Sequence, residues 1–182
     1  PSADIRRTSL LRLSHGMLAG DLLEAAMALD DVALSRDLLA VITSPQRVMA
    51  ESTVAASLRA ISKAALIRAD EDLKTGHPDA ALTLVESIPG IEGAADPGAL
   101  ARVRAVALLS LGRIELAEQQ TAAGADAWFE GLAGAAGKTH EAEIVKRIES
   151  RFGVAITSEQ AATLAKVKER LTRQANKPDD GQ

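Results

Sequence analysis

The sequence predicts an all-α protein, built of antiparallel helical hairpins stacked as a short array and followed by two C-terminal helices. Three observations carry that prediction. Apolar residues recur three and four apart, as in Val54, Leu58, Ile61 and Ala65, which is the period of one helix face. The chain of 182 residues holds 36 alanines and only 2% aromatics, so its core is made of small, strong helix formers that let helices approach closely. Three glycines, Gly20, Gly76 and Gly112, stand in one shared pattern of flanking residues. No convincing strand competes, because Val154-Ala155-Ile156 is too short to count.

Taken in order, the elements justify themselves by caps and breakers. Ile5 to Leu18 reads as a helix with Leu10, Leu11 and Leu18 on one face, turned at Gly20-Asp21. A second helix covers Leu22 to Leu29, and Asp30-Asp31 starts a third that runs to about Ile42. Ser44-Pro45 is a start signal, a capping hydroxyl followed by proline. From Pro45 to Thr75 no glycine or further proline interrupts the chain, which is one long helix or two with an unmarked break. Gly76-His77-Pro78 ends it, Asp79 to Ser87 is helical again, and Pro89 to Pro97 is a loop. Asp96-Pro97 opens a helix to about Leu111, and Ile114 to Thr121 follows the turn at Gly112. Residues 122–138, rich in alanine and glycine around Trp128-Phe129, read as a loosely ordered connector with a short helix inside. Thr139 can cap a helix to Phe152, with Glu141 and Glu143 suited to its first turn. Thr157 and Gln160 have capping-box spacing at the head of a last helix, to about Gln174. The organisation expected is therefore a repeat array over 1–121, a connector over 122–138, a helical pair over 139–175 and a polar tail over 176–182.

The three glycine turns repeat a pattern. Arg12, Arg68 and Arg104 each stand eight residues before the glycine; Met17, Leu73 and Leu109 stand three before it; Ala25, Ala81 and Ala117 stand five after it. Glycine permits a left-handed turn, the apolar residue closes one side and the small alanine lets the second helix return tightly. Such a hairpin leaves one face unburied, so neighbours must stack on it.

"ALLSLGRIELAEQ" and "LKTGHPDAALTLVESIP" resemble the tetratricopeptide-type repeat, which has a turn glycine and, five residues on, an alanine in its second helix. The resemblance covers Arg68 to Thr121 best, Arg12 to Leu29 weakly and the last 45 residues not at all. It also departs from the family: the glycines are 56 and 36 residues apart against a repeat of 34, and the large aromatics of the first helix are missing. An Ala-rich helical bundle is the alternative. The resemblance implies a groove lined by the first helix of each hairpin, here Lys63, Leu66, Asp70 and Lys74, then Arg102, Val106 and Ser110.

The one stretch that resembles catalytic machinery is Gly137-Lys138-Thr139, the end of a phosphate-binding P-loop. A full motif needs a glycine five residues before Gly137 and a strand upstream. Leu132 occupies that position, and "TAAGADAWFEG" is no strand. The chain has no cysteine, which removes thiol catalysis and Cys-based metal sites. His15, His77 and His140 are scattered, and only His140 has carboxylates at helical spacing, so no metal or cofactor is expected. Lys146, Arg147, Arg151, Lys166, Lys168, Arg170 and Arg173 interleave with glutamates, as on a solvated, ion-paired face. With a net charge of −4 and no interleaved aromatics, nucleic acid is not expected as a partner. No apolar run is long enough for a membrane span. Trp128 and Phe129, the only adjacent aromatics, are either an anchor on the core or a partner contact.

The expected function is non-enzymatic protein–protein binding, as scaffold, adaptor or chaperone, with another protein or peptide as partner. A second reading is a structural accessory of a periplasmic bacterial machine, such as a motility-motor scaffold similar to the MotC proteins. A small enzyme or nucleotide-binding protein is the third. The sequence begins at Pro1 and leaves cytoplasm and periplasm both open, and it does not set the oligomeric state.

Overall fold

In the computed structural model, the residues described are 26, 31–42, 51–88 and 90–176. The Gly20 turn, the helix expected before it, all but Ala26 of the helix after it, the Ser44-Pro45 start and the tail past Asn176 lie outside them. The fold is all-α: the described residues form nine α-helices and one short 3-10 turn, with no strand. None of these helices is long and apolar enough to cross a membrane. The chain divides into two compact units, Pro1–Val103 and Arg104–Gln182. The division falls inside a helix, whereas the sequence suggests a boundary after residue 121.

In the first unit, α1 spans Val32–Ile42. The Asp31 side chain accepts the Leu34 amide at 2.9 Å, which satisfies one of the amides that a helix start leaves over. Helix α2, Glu51–Lys74, is unbroken for 24 residues, which over these residues selects the single helix from the two readings the sequence leaves open. Helix α3, Pro78–Glu86, begins on a proline whose missing amide costs nothing there. The stretch read as a loop contains a helical turn, α4, over Ile91–Ala94. Its cause is Ile91, which is fully buried and draws the segment onto the core beside Ile88. Helix α5, Pro97–Ser110, starts where Asp96 accepts the Ala99 amide at 2.7 Å. The core joins Leu38, Ile61, Ala65, Ala81, Val85 and Ile91, with α2 packed against α1, α3 and α4. Each buried branched side chain contributes about 1.5–3 kcal/mol.

In the second unit, every residue from Ala105 to Ser110 is buried, so this part of α5 shows no face to solvent. Helix α6 is Ile114–Glu118, α7 is Ala125–Gly134, α8 is Glu141–Phe152 and α9 is Ser158–Ala175. Glu141, Ile144, Val145 and Ile148 place the buried stripe of α8 at spacings of three and four, and α8 packs against both α7 and α9. The capping box at α9 is formed: Thr157 Oγ1 accepts the Gln160 amide at 3.2 Å, and Gln160 Oε1 accepts the Thr157 amide at 2.9 Å.

The segment read as a connector contains the expected short helix, α7, and it is packed. Trp128 is fully buried. Its ring meets Phe152 edge-on at 6.1 Å and carries the Arg151 guanidinium at 5.3 Å. Two of the glycines that suggested looseness, Gly131 and Gly134, sit at a helix contact. A methyl at Gly131 would lie 2.6 Å from Leu109 Cβ, and one at Gly134 would overlap the Ser110 hydroxyl. Absence of a side chain at these two sites lets α7 approach that closely.

Two of the three repeat turns, at Gly76 and Gly112, fall within the described residues, and their bonding is the same. At Gly76 (φ +82°) the glycine amide donates to Leu73 O at 3.1 Å and the His77 amide to Asp72 O at 2.8 Å. At Gly112 (φ +76°) the glycine amide donates to Leu109 O at 3.0 Å and the Arg113 amide to Leu108 O at 2.8 Å. This is the left-handed helix ending that glycine favours. The apolar residue three before each glycine supplies an accepting carbonyl, and Ala81 and Ala117 are both fully buried.

Candidate partner-binding surface

The residues proposed for a groove separate by burial. Lys63 and Lys74 are exposed on α2, while Leu66 is half-buried and leans on the core of the first unit. Asp70 and Arg102 meet: Arg102 Nη1 donates to Asp70 Oδ1 at 2.8 Å, and Lys74 Nζ reaches Asp70 Oδ2 at 2.5 Å. The hydrogen bond from Lys74, then that from Arg102, holds the Asp70 carboxyl below its ordinary value, against a smaller opposing effect of burial. One carboxylate thus ties α2 to the first half of α5, and three of the chosen residues form a single cluster. Val106 and Ser110, chosen by the same repeat logic, are 6% and 5% exposed. Neither is available to a partner, because α5 is covered on every side at that level. Trp128 belongs to the core. Phe129 is half-buried and lines an open cleft in the second unit.

The Gly137-Lys138-Thr139 stretch has a structural role. Gly137 takes the left-handed turn at φ +76°. Its amide, which would face a phosphate in a P-loop, donates to Glu141 Oε2 at 2.9 Å. Lys138 Nζ donates to Ser110 O at 2.7 Å, at the end of α5. A lysine on the last carbonyls of a helix meets the negative end of its dipole. Thr139 does not cap α8. The helix starts one residue later, with His140 at the N-cap position and no side-chain cap, and Glu141 reaches back to Gly137 instead. Glu141 is 1% exposed and its other oxygen pairs with Arg170 of α9, so its charge is compensated on both oxygens.

Four of the seven basic residues named on α8 and α9 are ion-paired, Arg147, Lys168, Arg170 and Arg173. Arg147 bonds Glu143 at 2.7 Å and Glu118 at 2.9 Å, Lys168 bonds Glu149 at 2.8 Å, and Arg173 bonds Glu169 at 2.6 Å. The Arg147 bond, foremost, lowers the Glu143 carboxyl from its ordinary value.

The acidic lining of the cleft beside Phe129 was not singled out from the sequence. Asp126 and Glu159 are 33 residues apart and each reads as first-turn chemistry of its own helix. Compared with family models, with curated proteins and with solved structures, the chain matches none of them.

Proposed function

We propose that this chain is a non-enzymatic protein–protein interaction module, a scaffold, adaptor or chaperone whose working surface is formed by successive helical hairpins. The observation that carries the reading is the Asp70–Arg102 ion pair, which joins the first helices of two successive glycine-turn hairpins. Side-by-side first helices are what the resemblance to tetratricopeptide-type repeats implies, and the shared bonding at Gly76 and Gly112 supports repetition of one hairpin unit. The contact residues are Lys63, Leu66 and Lys74, with Asp70 and Arg102 holding the surface in shape. Val106, Ser110 and Trp128 are left out because they are buried.

The test is capture with a built-in control. The wild-type chain and a Lys63→Glu/Lys74→Glu double variant, shown by circular dichroism to be equally folded, are used as baits for cross-linked partners. The expected result is a partner held by the wild type and reduced about tenfold by charge reversal, since interface charges act on both affinity and encounter rate. Identical retention by the two baits, or no partner for either, would sink this surface.

A further inference from the structure

The second unit contains an open cleft of about 560 Å³, between the outer face of α7 and the first turns of α9. It is lined by Asp126, Phe129, Glu130 and Ala133 from α7, and by Thr157, Glu159, Gln160 and Thr163 from the start of α9. Three of these residues are carboxylates and none is basic. Phe129 and Ala133 supply the apolar part of the lining. The size falls within the roughly 300–1,000 Å³ usual for binding clefts.

The walls are held in place. Gln160 Nε2 donates to Asp126 Oδ1 at 2.7 Å, which ties the first turn of α9 to that of α7. The same Gln160 closes the capping box on Thr157, so the rim is fixed from both sides. A rim ordered before binding loses little entropy on binding. Asp126 and Glu159 also lie in the first turns of their helices, where a negative charge stabilises the helix. That accounts for each acid separately. It does not account for the half-buried Phe129 lining the same cleft.

We infer that this cleft docks a cationic segment of a partner protein, one that places an apolar side chain against Phe129 and a Lys or Arg against Asp126 and Glu159. The inference rests on the interaction-module reading and adds a surface on the other unit. The three carboxylates fix the sign of the partner, and Phe129 in the lining calls for an apolar anchor.

The experiment uses the full chain and a synthetic peptide of alternating leucine, lysine and arginine, followed by NMR amide shifts and by fluorescence anisotropy. A second peptide carries glutamate in place of every cation. The expected result is binding of the cationic peptide with shifts concentrated in residues 126–133 and 157–163. Affinity should fall about fivefold in Glu159→Lys and again in Phe129→Ala, with both variants shown by circular dichroism to be folded at the temperature of the measurement. Equal binding of the acidic peptide overturns the inference, as do shifts spread over the whole chain, unchanged affinity in both variants, or no binding at millimolar peptide. The α2 surface is read separately: loss of a captured partner in Lys63→Glu/Lys74→Glu stands or falls whatever the cleft does.

Discussion

The turns at Gly76 and Gly112 share one backbone and differ in what surrounds it. Both glycines have φ near +80°, and both donate to the residue three positions back. At Gly76 the space where a side chain would go is open, with nothing within 4 Å. At Gly112 that space is taken by the His140 ring, whose Nδ1 lies 2.9 Å from the site of a Cβ. The second turn is also clipped by Lys138, which caps the helix leading into it. The repeat in the sequence therefore specifies a local hydrogen-bonding unit. What is laid over that unit is settled by a segment 26 to 28 residues further on, which carries no trace of the repeat.

The largest expected effect breaks the comparison directly. Gly112→Val should destabilise the fold by about 3 kcal/mol, adding the cost of a left-handed branched residue to the overlap with His140. Gly76→Val should cost only about 1–2 kcal/mol, the backbone part alone. Thermal melts of the two variants check it, and equal losses would mean that the His140 ring yields freely. A Gly112→Ala/His140→Ala cycle sharpens the same point: a coupling of about 1 kcal/mol is expected, with none between Gly76→Ala and His140→Ala.

Next in size is the clip. Lys138→Met removes a charged donor from Ser110 O and should cost about 1–2 kcal/mol. Hydrogen exchange should quicken at Gly112 and Arg113 while Gly76 and His77 stay as they were. The same variant addresses the P-loop resemblance. Calorimetric titration of the wild type with ATP and Mg²⁺ should give no binding, because the Gly137 amide and the Lys138 ammonium already have partners. Micromolar binding abolished by Lys138→Met would overturn that role.

The smallest effect lies on the side of the first turn. Asp70 has its carboxyl lowered in the folded state, so its contribution is present above the unfolded value of about 3.9 and is lost as pH falls through the folded value. Asp70→Asn should therefore lower the melting temperature by a degree or two at pH 7, and the difference should close as pH falls through the folded value. A difference that persisted at low pH would assign the loss to packing rather than to charge.

Much of this was legible residue by residue. Asp31, Asp96 and Thr157 cap the helices they were expected to cap, because capping is decided within four residues of chain. The lack of any breaker before Lys74 showed helix there, but not whether it was one helix or two. The glycine-rich stretch was legible only in part, because glycine density has two opposite causes. It can mark a backbone that is costly to order, or a place where another helix comes too close for a methyl group. Gly131 and Gly134 are of the second kind. Their spacing of three, in step with Trp128 and Leu132, was the available sign. Val106 and Ser110 were misplaced on a groove because repeat logic assigns faces by position. The run Ala105 to Ser110 is buried all round, and its unbroken "AVALLS" was the sign of that.

By itself, then, the sequence determined most of the described helices, the caps at Asp31, Asp96 and Thr157, and the left-handed turns at Gly76 and Gly112. These depend on propensity, on short-range hydrogen bonds and on the one residue type that tolerates positive φ. Only the tertiary structure decided that Lys138 clips the end of α5, that Glu141 is buried between Gly137 and Arg170, and that Asp126 and Glu159 share a cleft. Those partners are 4 to 33 residues apart along the chain, and even the nearest pair has its meaning only once Arg170 is brought in from α9. Local chemistry is written in adjacent letters, whereas the energy of a buried charge or a shared cleft depends on which helices come together.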